Sequence, residues 1–301
     1  MKKRVTVVGA AAIGDYIFHV DQLPVPGQIV KVRDGGADFI PGGCAPNIAM
    51  GMAALNRVQP TLCYPVGDDT ESNRIVSQWI NCGIECELTH VLGNESGKSW
   101  MFMQDDGTTM CFAYPGAADS ATAIPGGLED WVVICPVFNQ FTKAYADEAV
   151  SQKKHLVFTG IAVPELIGYL PNSDVVIINQ FECRTLCEAI SICSAAELSK
   201  LYPCLRLYVT NGSKGSSLFR QGVETKIPLV SAECILDFTG AGDAYTSGVV
   251  SALMQDAPAE FAGLIGAANA SFVIENFGGQ NVFPSWEDIL DRLKQQHILN
   301  T

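Results

Sequence analysis

The densest chemical pattern in the chain is the seven-residue stretch Asp237-Phe238-Thr239-Gly240-Ala241-Gly242-Asp243. It follows apolar Ile235-Leu236 and runs into residues 244–254, which read as a buried helix. A glycine turn that opens a helix is an anion site. The first helical amides have no intrahelical acceptor, and the aligned peptide dipoles leave partial positive charge there. Gly240 and Gly242 lack a Cβ, so the backbone can come close to a phosphate. Asp243 is out of place in a plain anion site, because a second negative charge repels the first. It makes sense if the carboxylate takes a proton from a hydroxyl that then attacks phosphorus. The stretch therefore points to phosphoryl transfer to an alcohol. The alternative on these residues alone is a capped helix after an ordinary tight turn.

Three further clusters carry polar groups in suggestive places. Gly42-Gly43-Cys44-Ala45-Pro46-Asn47 precedes the helical stretch 48–55; its glycines allow close approach to a small polar ligand, and Asn47 offers both a donor and an acceptor. Asn179-Gln180-Phe181-Glu182 follows the apolar run 175–178, where open α/β sheets bind ligands beyond the carboxyl ends of their strands. That pair could hold the waters of a Mg²⁺ ion, or Asn179 could cap the next helix with Glu182 at its third position. Thr210-Asn211-Gly212-Ser213-Lys214-Gly215 also follows a strand-like run, but lacks the glycine–lysine spacing of a P-loop.

The elements that must position these residues are short apolar runs alternating with helical patterns, the signature of a mainly parallel sheet covered on both faces. Strands are expected at 5–8, 62–66, 132–135, 156–158, 175–178 and 205–209. Helices are expected at 74–80, 182–201, 259–274 and from Ser285, where Asp288 completes a capping-box spacing. The fold class is α/β, a three-layer α/β/α sandwich in one domain spanning 1–301. Two stretches break the rhythm, roughly 16–41 (with 29–32 as a strand) and 97–114, a hairpin turning at Asp105-Asp106-Gly107. Together they form a small β-sheet lid that would exclude water from a phosphoryl transfer.

Composition narrows the partners. A net charge of −13 argues against nucleic acid and anionic membranes, so an anionic nucleotide must be held by local amides and a metal ion. The 11 cysteines contain no Cys-x-x-Cys pair, and the four histidines lie near none of them in sequence. They read as reduced thiols of a cytoplasmic protein, not a zinc or disulfide framework. Lys2-Lys3-Arg4 and the short apolar run after it read as a first strand, not a signal peptide. No apolar run approaches the ~20 residues of a membrane span.

Taken in order, Asp15, Gly42-Gly43 with Asn47, Gly67-Asp68-Asp69, Asn179-x-x-Glu182, Thr210-x-Gly212-x-x-Gly215 and the 237–243 stretch resemble the ribokinase-like (PfkB) family of carbohydrate kinases. The resemblance runs from the first strand to Gln280 and Pro284. It implies ATP as donor and Asp243 as general base, with the amides of Gly240, Ala241 and Gly242 as an anion hole for the γ-phosphoryl group. It implies that Asp15, Gly42, Gly43 and Asn47 hold acceptor hydroxyls. Asn179 and Glu182 would organise Mg²⁺ through water, with Thr210, Gly212, Gly215 and Asn269 on the nucleotide. Asp237 would mark a monovalent-cation site, with K⁺ the candidate ion, although Val282 stands where some members have serine. Thr159-Gly160-Ile161 replaces an Asp-x-Asn-x-Arg pattern common in the family, and Phe238 replaces a small polar residue.

The implied activity is transfer of the γ-phosphoryl group of ATP to a hydroxymethyl group of a sugar or sugar-like molecule. A nucleoside kinase is the alternative, in which Trp100, Phe102, Phe112 or Tyr114 stack a base if they face the cleft. A sugar-binding regulator without catalysis is the alternative outside the enzymes, and the intact Asp243 and anion-hole glycines stand against it. A small sheet with a bare edge tends to be paired or covered, which leads us to expect a homodimer through the lid.

Overall fold

The computed structural model describes residues 2–33, 39–105, 108–123 and 125–299. The first half of the chain contains β1 (Lys3–Val8), β2 (Gly14–His19), β3 (Phe39–Pro41), α1 (Cys44–Leu55), β4 (Val58–Val66), α2 (Thr70–Asn81), β5 (Glu85–His90), β6 (Ser96–Met103), β7 (Thr109–Gly116), α3 (Ala117–Ser120), β8 (Trp131–Ile134) and α4 (Gln140–Ser151). The second half adds β9 (His155–Thr159), β10 (Val175–Asn179), α5 (Gln180–Ala189), α6 (Ala195–Leu201), β11 (Arg206–Thr210), β12 (Ser216–Arg220), β13 (Val223–Ile227), α7 (Ala241–Leu253), α8 (Ala259–Val273) and α9 (Trp286–Gln295).

Nine strands form the main sheet in the order β13-β12-β11-β10-β9-β8-β1-β4-β5. All neighbours from β11 to β5 are parallel, and β12 and β13 pair antiparallel at one edge. Strands buried on both faces explain the unbroken apolar runs such as residues 175–178. One face packs Ile48, Trp79, Tyr245, Ile265 and Ile289 from α1, α2, α7, α8 and α9. The other packs Phe141, Leu186 and Leu198 from α4, α5 and α6. The three-layer arrangement expected from the sequence is the one found. Because β8 to β11 run parallel, their carboxyl ends meet along one edge, and the site is built there.

Several local expectations need correction. The expected helix over 182–201 is two helices, α5 and α6. Ser191 has a left-handed backbone (φ 58°) that stops the first, and Ser194 caps the second by accepting from the Glu197 amide. The expected strand at 29–32 makes only an isolated bridge, Val20 with Val32, and Ile29 is almost fully exposed. The hairpin of β12 and β13 was missed, although Gln221-Gly222 supplies the two positive φ values (52° and 84°) that a tight hairpin turn requires. Ser285 does cap α9, with Asp288 closing the box.

The second sheet has the order β3-β2-β6-β7 and is the expected lid. Residues 34–38 of the expected lid range and 106–107 of its expected turn lie outside the described residues. Register settles which face of the lid does what. β2 and β6 pair with Asp15 opposite Ser99, Tyr16 opposite Trp100 and Phe18 opposite Phe102, and Trp100 faces Phe112 across β7. Side chains alternate along a strand, so Asp15, Ile17, Ser99, Met101 and Cys111 share one face while the aromatic residues share the other. On that aromatic face Tyr16 stacks on Trp100 (6.1 Å) and Phe18 on Phe102 (5.1 Å). The aromatic residues therefore lie on the face opposite Asp15, away from the cleft, and do not form a base-stacking wall there.

Buried Arg292 of α9 bonds both oxygens of Glu275 (2.8 and 3.1 Å) and Ser271 Oγ (2.9 Å), with its guanidinium over the Phe272 ring. Removing one partner leaves a buried charge uncompensated, so Arg292→Ala is expected to cost about 3 kcal/mol. Urea unfolding would reveal this as a lowered midpoint with an unchanged slope.

Candidate active site

α7 begins at the glycine turn. Gly240 is its cap, left-handed at φ 80°, and a Cβ built there would stand 2.7 Å from the Cα of Gly279. Only glycine fits both conditions. Asp237 ties the turn down: its Oδ1 accepts from the Thr239 amide (2.9 Å) and hydroxyl (2.7 Å), and its Oδ2 from the Gly278 amide (2.8 Å). The Ala241 amide closes the turn on the Phe238 carbonyl (3.2 Å). Among the described residues, the amides of Gly240, Gly242 and Asp243 have no acceptor, and a Cβ at Gly242 would meet nothing within 4 Å. Of the three amides expected to form an anion hole, those of Gly240 and Gly242 are thus uncommitted and that of Ala241 is shared with the turn.

Asp243 lies in the first turn of α7, partly open to a cleft of about 200 Å³ that it shares with Cys44, Thr159, Asn179, Glu182, Thr210 and Gly242. The cleft sits where the carboxyl ends of β9, β10 and β11 meet the start of α7. Asn47 donates from Nδ2 to Asp243 Oδ2 at 2.7 Å, and Cys44 lines the same cleft beside that carboxylate. Desolvation pushes the Asp243 carboxyl up to about 7, opposed by Asn47 and Cys44 and reinforced by the negative charge of Asp15.

Asp15 enters from the lid. Its Oδ1 accepts from Ser99 Oγ, and a Cβ at Gly42 would stand 1.9 Å from its Oδ2, so a larger residue there would displace the carboxylate. Burial raises the Asp15 carboxyl above its ordinary value. Gly42 donates to the Ile13 carbonyl (2.8 Å), and its own carbonyl accepts from Gln280 Nε2 (2.8 Å). Gly43, at φ 93°, caps α1 and aims Cys44 and Asn47 at Asp243. Both Asn47 Oδ1 and Gln280 Oε1 are buried with no partner among the described residues. Ser99, Gln280 and Cys44 were not picked out from the sequence as site residues. Only the three-residue spacing of Cys44 and Asn47 on one helix gave a signal for any of them.

On the nucleotide side, Asn179 and Glu182 form a full capping box: the Glu182 amide donates to Asn179 Oδ1 (2.9 Å) and the Asn179 amide to Glu182 Oε2 (2.8 Å). Asn179 is exposed and Glu182 half-buried, and both line the cleft, so the capping alternative raised above is realised without removing either from it. Thr210 ends β11, and the loop after it is closed by the Asn211 amide on the Gly215 carbonyl (2.8 Å). Gly215 is required, since its φ is 79° and a Cβ would stand 2.6 Å from the Ile227 carbonyl. Gly212 starts the short 3₁₀ turn of that loop. Asn269 is placed differently from expectation. It is wholly buried between α7 and α8 and donates to the Ala244 carbonyl (2.7 Å) and Ser247 Oγ (2.8 Å), so it braces the catalytic helix and does not reach the cleft.

The residues present fit a nucleotide phosphate with its Mg²⁺. The uncommitted amides face open space beside Gly242, and Glu182 keeps one oxygen outside its cap bond. No group of three or more His, Cys, Asp or Glu among the described residues is placed to hold a metal ion.

A lidded α/β fold with a glycine turn, a helix start and a carboxylate at the strand ends is the architecture of a small-molecule phosphotransferase. The pfkB family carbohydrate kinase model matches residues 2–286. A nucleoside kinase of Methanocaldococcus jannaschii is 30% identical over 304 residues, covering 98% of each chain. Its crystal structure superposes with a TM-score of 0.85 over 97% of this chain and 98% of that one, at 29% identity. A Burkholderia thailandensis nucleoside kinase with inosine gives 0.87 over 99% of both chains at 18% identity. An Arabidopsis thaliana ribokinase with ribose and ATP gives 0.78 over 98% and 99% at 22% identity. The chain belongs to the pfkB family of carbohydrate kinases and has the ribokinase-like fold. It is a phosphotransferase with an alcohol group as acceptor.

Proposed function

We propose that the protein transfers the γ-phosphoryl group of ATP to a hydroxymethyl group of a sugar or nucleoside. The observation that carries this is the contact of Asn47 with Asp243 at 2.7 Å, which joins the acceptor-side cluster to the first turn of α7. Asp15 and Asn47 orient the acceptor, and the lid presents Asp15 to it from β2, tied to β6 by the Asp15–Ser99 bond. Asp243 accepts the hydroxyl proton as the oxygen attacks. The amides of Gly240 and Gly242 stabilise charge on the transferring group, the term that dominates a reaction needing mostly positioning and electrostatics. Glu182, beside Asn179, would hold a Mg²⁺ ion through water, and that ion would supply neutralisation of phosphate charge, with Thr210, Gly212 and Gly215 shaping the nucleotide's seat.

A panel of free pentoses, hexoses and nucleosides in an ADP-release assay tests the proposal and separates the two acceptor classes. No turnover with any of them would overturn it. A nucleoside acceptor is favoured by the M. jannaschii likeness. The base would then contact the Met101 side of the lid, since the aromatic face lies on the other side.

The pH dependence has a defined sign. Asp243 must be ionised to accept a proton, and with its carboxyl pushed up to about 7, kcat/KM is expected to fall as pH drops through 7. An unperturbed aspartate would hold activity down to about pH 4. A pH–rate profile at saturating nucleotide distinguishes these.

The proposal extends to K⁺ beside Asp237, checked by turnover in potassium against lithium buffers. It also extends to a cytoplasmic homodimer through the lid. The aromatic lid face leaves Phe112 56% and Tyr114 45% exposed, which supports self-association there. A monomer in sedimentation at micromolar concentration would count against it.

A further inference from the structure

The mechanism above leaves Cys44 unused, although it lines the cleft beside Asp243. It is the first residue of α1, directly after the Gly43 cap, and Asn47 lies three residues further on the same face. Asn47 takes one oxygen of the Asp243 carboxylate at 2.7 Å. We propose that the Cys44 thiol is a positioning residue for Asp243, donating a second hydrogen bond to the carboxylate from the same turn of α1. Together the two donors fix the rotation of the carboxylate, leaving a lone pair directed at the acceptor hydroxyl.

The chemistry supports a donor and excludes a nucleophile. Burial and the adjacent negative charge of Asp243 push the Cys44 thiol well above its ordinary value, so it stays protonated. A protonated thiol beside a carboxylate can only donate, and the bond it makes favours the ionised form of the acid. The other groups around Asp243 cannot take this part. Asp15 from β2 and Glu182 of α5 are carboxylates and like charges, and Cys135, after β8, feels the charge of Asp243 without a hydrogen bond to it.

This inference rests on the kinase reading only for its effect on turnover, so the test has two readouts. The first is the titration of the Asp243 carboxyl, followed by NMR in protein labelled at aspartate Cγ and assigned by its disappearance in Asp243→Asn. Cys44→Ala is expected to raise the midpoint by about half a pH unit, a weak S–H donor giving the lower part of what a bond to a charged group provides. Cys44→Ser, with a stronger O–H donor of similar size, returns it to or below the wild-type value. Cys135→Ala leaves it in place. The second readout is the acid limb of kcat/KM, which moves with the midpoint in both Cys44 variants while the acceptor KM stays within about twofold. An unmoved midpoint in Cys44→Ala, or a serine variant that behaves like alanine, overturns the proposal. A shifted midpoint in a protein that turns over no acceptor overturns the kinase reading and leaves the hydrogen bond standing.

Discussion

Asp243→Asn is expected to lower kcat by three to four orders of magnitude, about the upper range for losing a positioned general base. The asparagine keeps the shape of the side chain and can still meet Asn47 after an amide flip, so the fold and the ligand sites should survive. The acceptor and nucleotide dissociation constants are expected to stay within about threefold, because the lost interaction operates on the proton in flight and not on the bound ground state. Stopped-flow or steady-state kinetics, with calorimetry for binding, makes the comparison. Activity within tenfold of wild type would remove Asp243 from the role of base.

Gly240→Ala is the second large effect. The residue is left-handed at φ 80°, and its missing Cβ is what allows Gly279 to sit against it. A side chain would meet backbone at 2.7 Å, which cannot swing aside. The turn must then shift, and it carries the amides proposed to face the transferring group. Removing one well-placed donor of this kind costs about a hundred- to thousandfold in kcat. We expect a loss in that range, together with a lowered melting temperature, because a non-glycine residue is strained there whatever the space. Gly242→Ala makes the comparison informative. Its Cβ would enter open space, so it should leave stability nearly intact while crowding the phosphate side.

Much of the site was legible because the relevant signals are local. Gly240, Gly242 and Asp243 lie within four residues, and the turn they make depends on little else. Asn179 and Glu182 were legible for the same reason, and their capping-box geometry needs only the start of α5. The parallel sheet was legible from apolar runs that must be buried on both faces. Asn269 was misplaced because its partners, Ala244 and Ser247, belong to another helix, and nothing near it in sequence reports that packing. The orientation of the lid aromatics was illegible for a similar reason. Which face turns inward is set by the pairing of Asp15 with Ser99, 84 residues apart, and a shift of one residue would have reversed every side chain. Cys44 escaped notice because a cysteine after two glycines looks like packing until Asp243 is set beside it.

The alternation of the lid strands has one more consequence. Adjacent residues of a single strand serve two different neighbours: in β2, Asp15 reaches toward the catalytic turn while Tyr16 stacks outward on Trp100. Substitutions at Ile17, Met101 or Cys111 can alter what the enzyme accepts without disturbing Tyr16, Phe18 or Phe102. Changes among those aromatics would act on the self-association proposed for that face without touching the acceptor. The two properties are free to diverge independently among descendants of this sequence, although they are written into the same few residues.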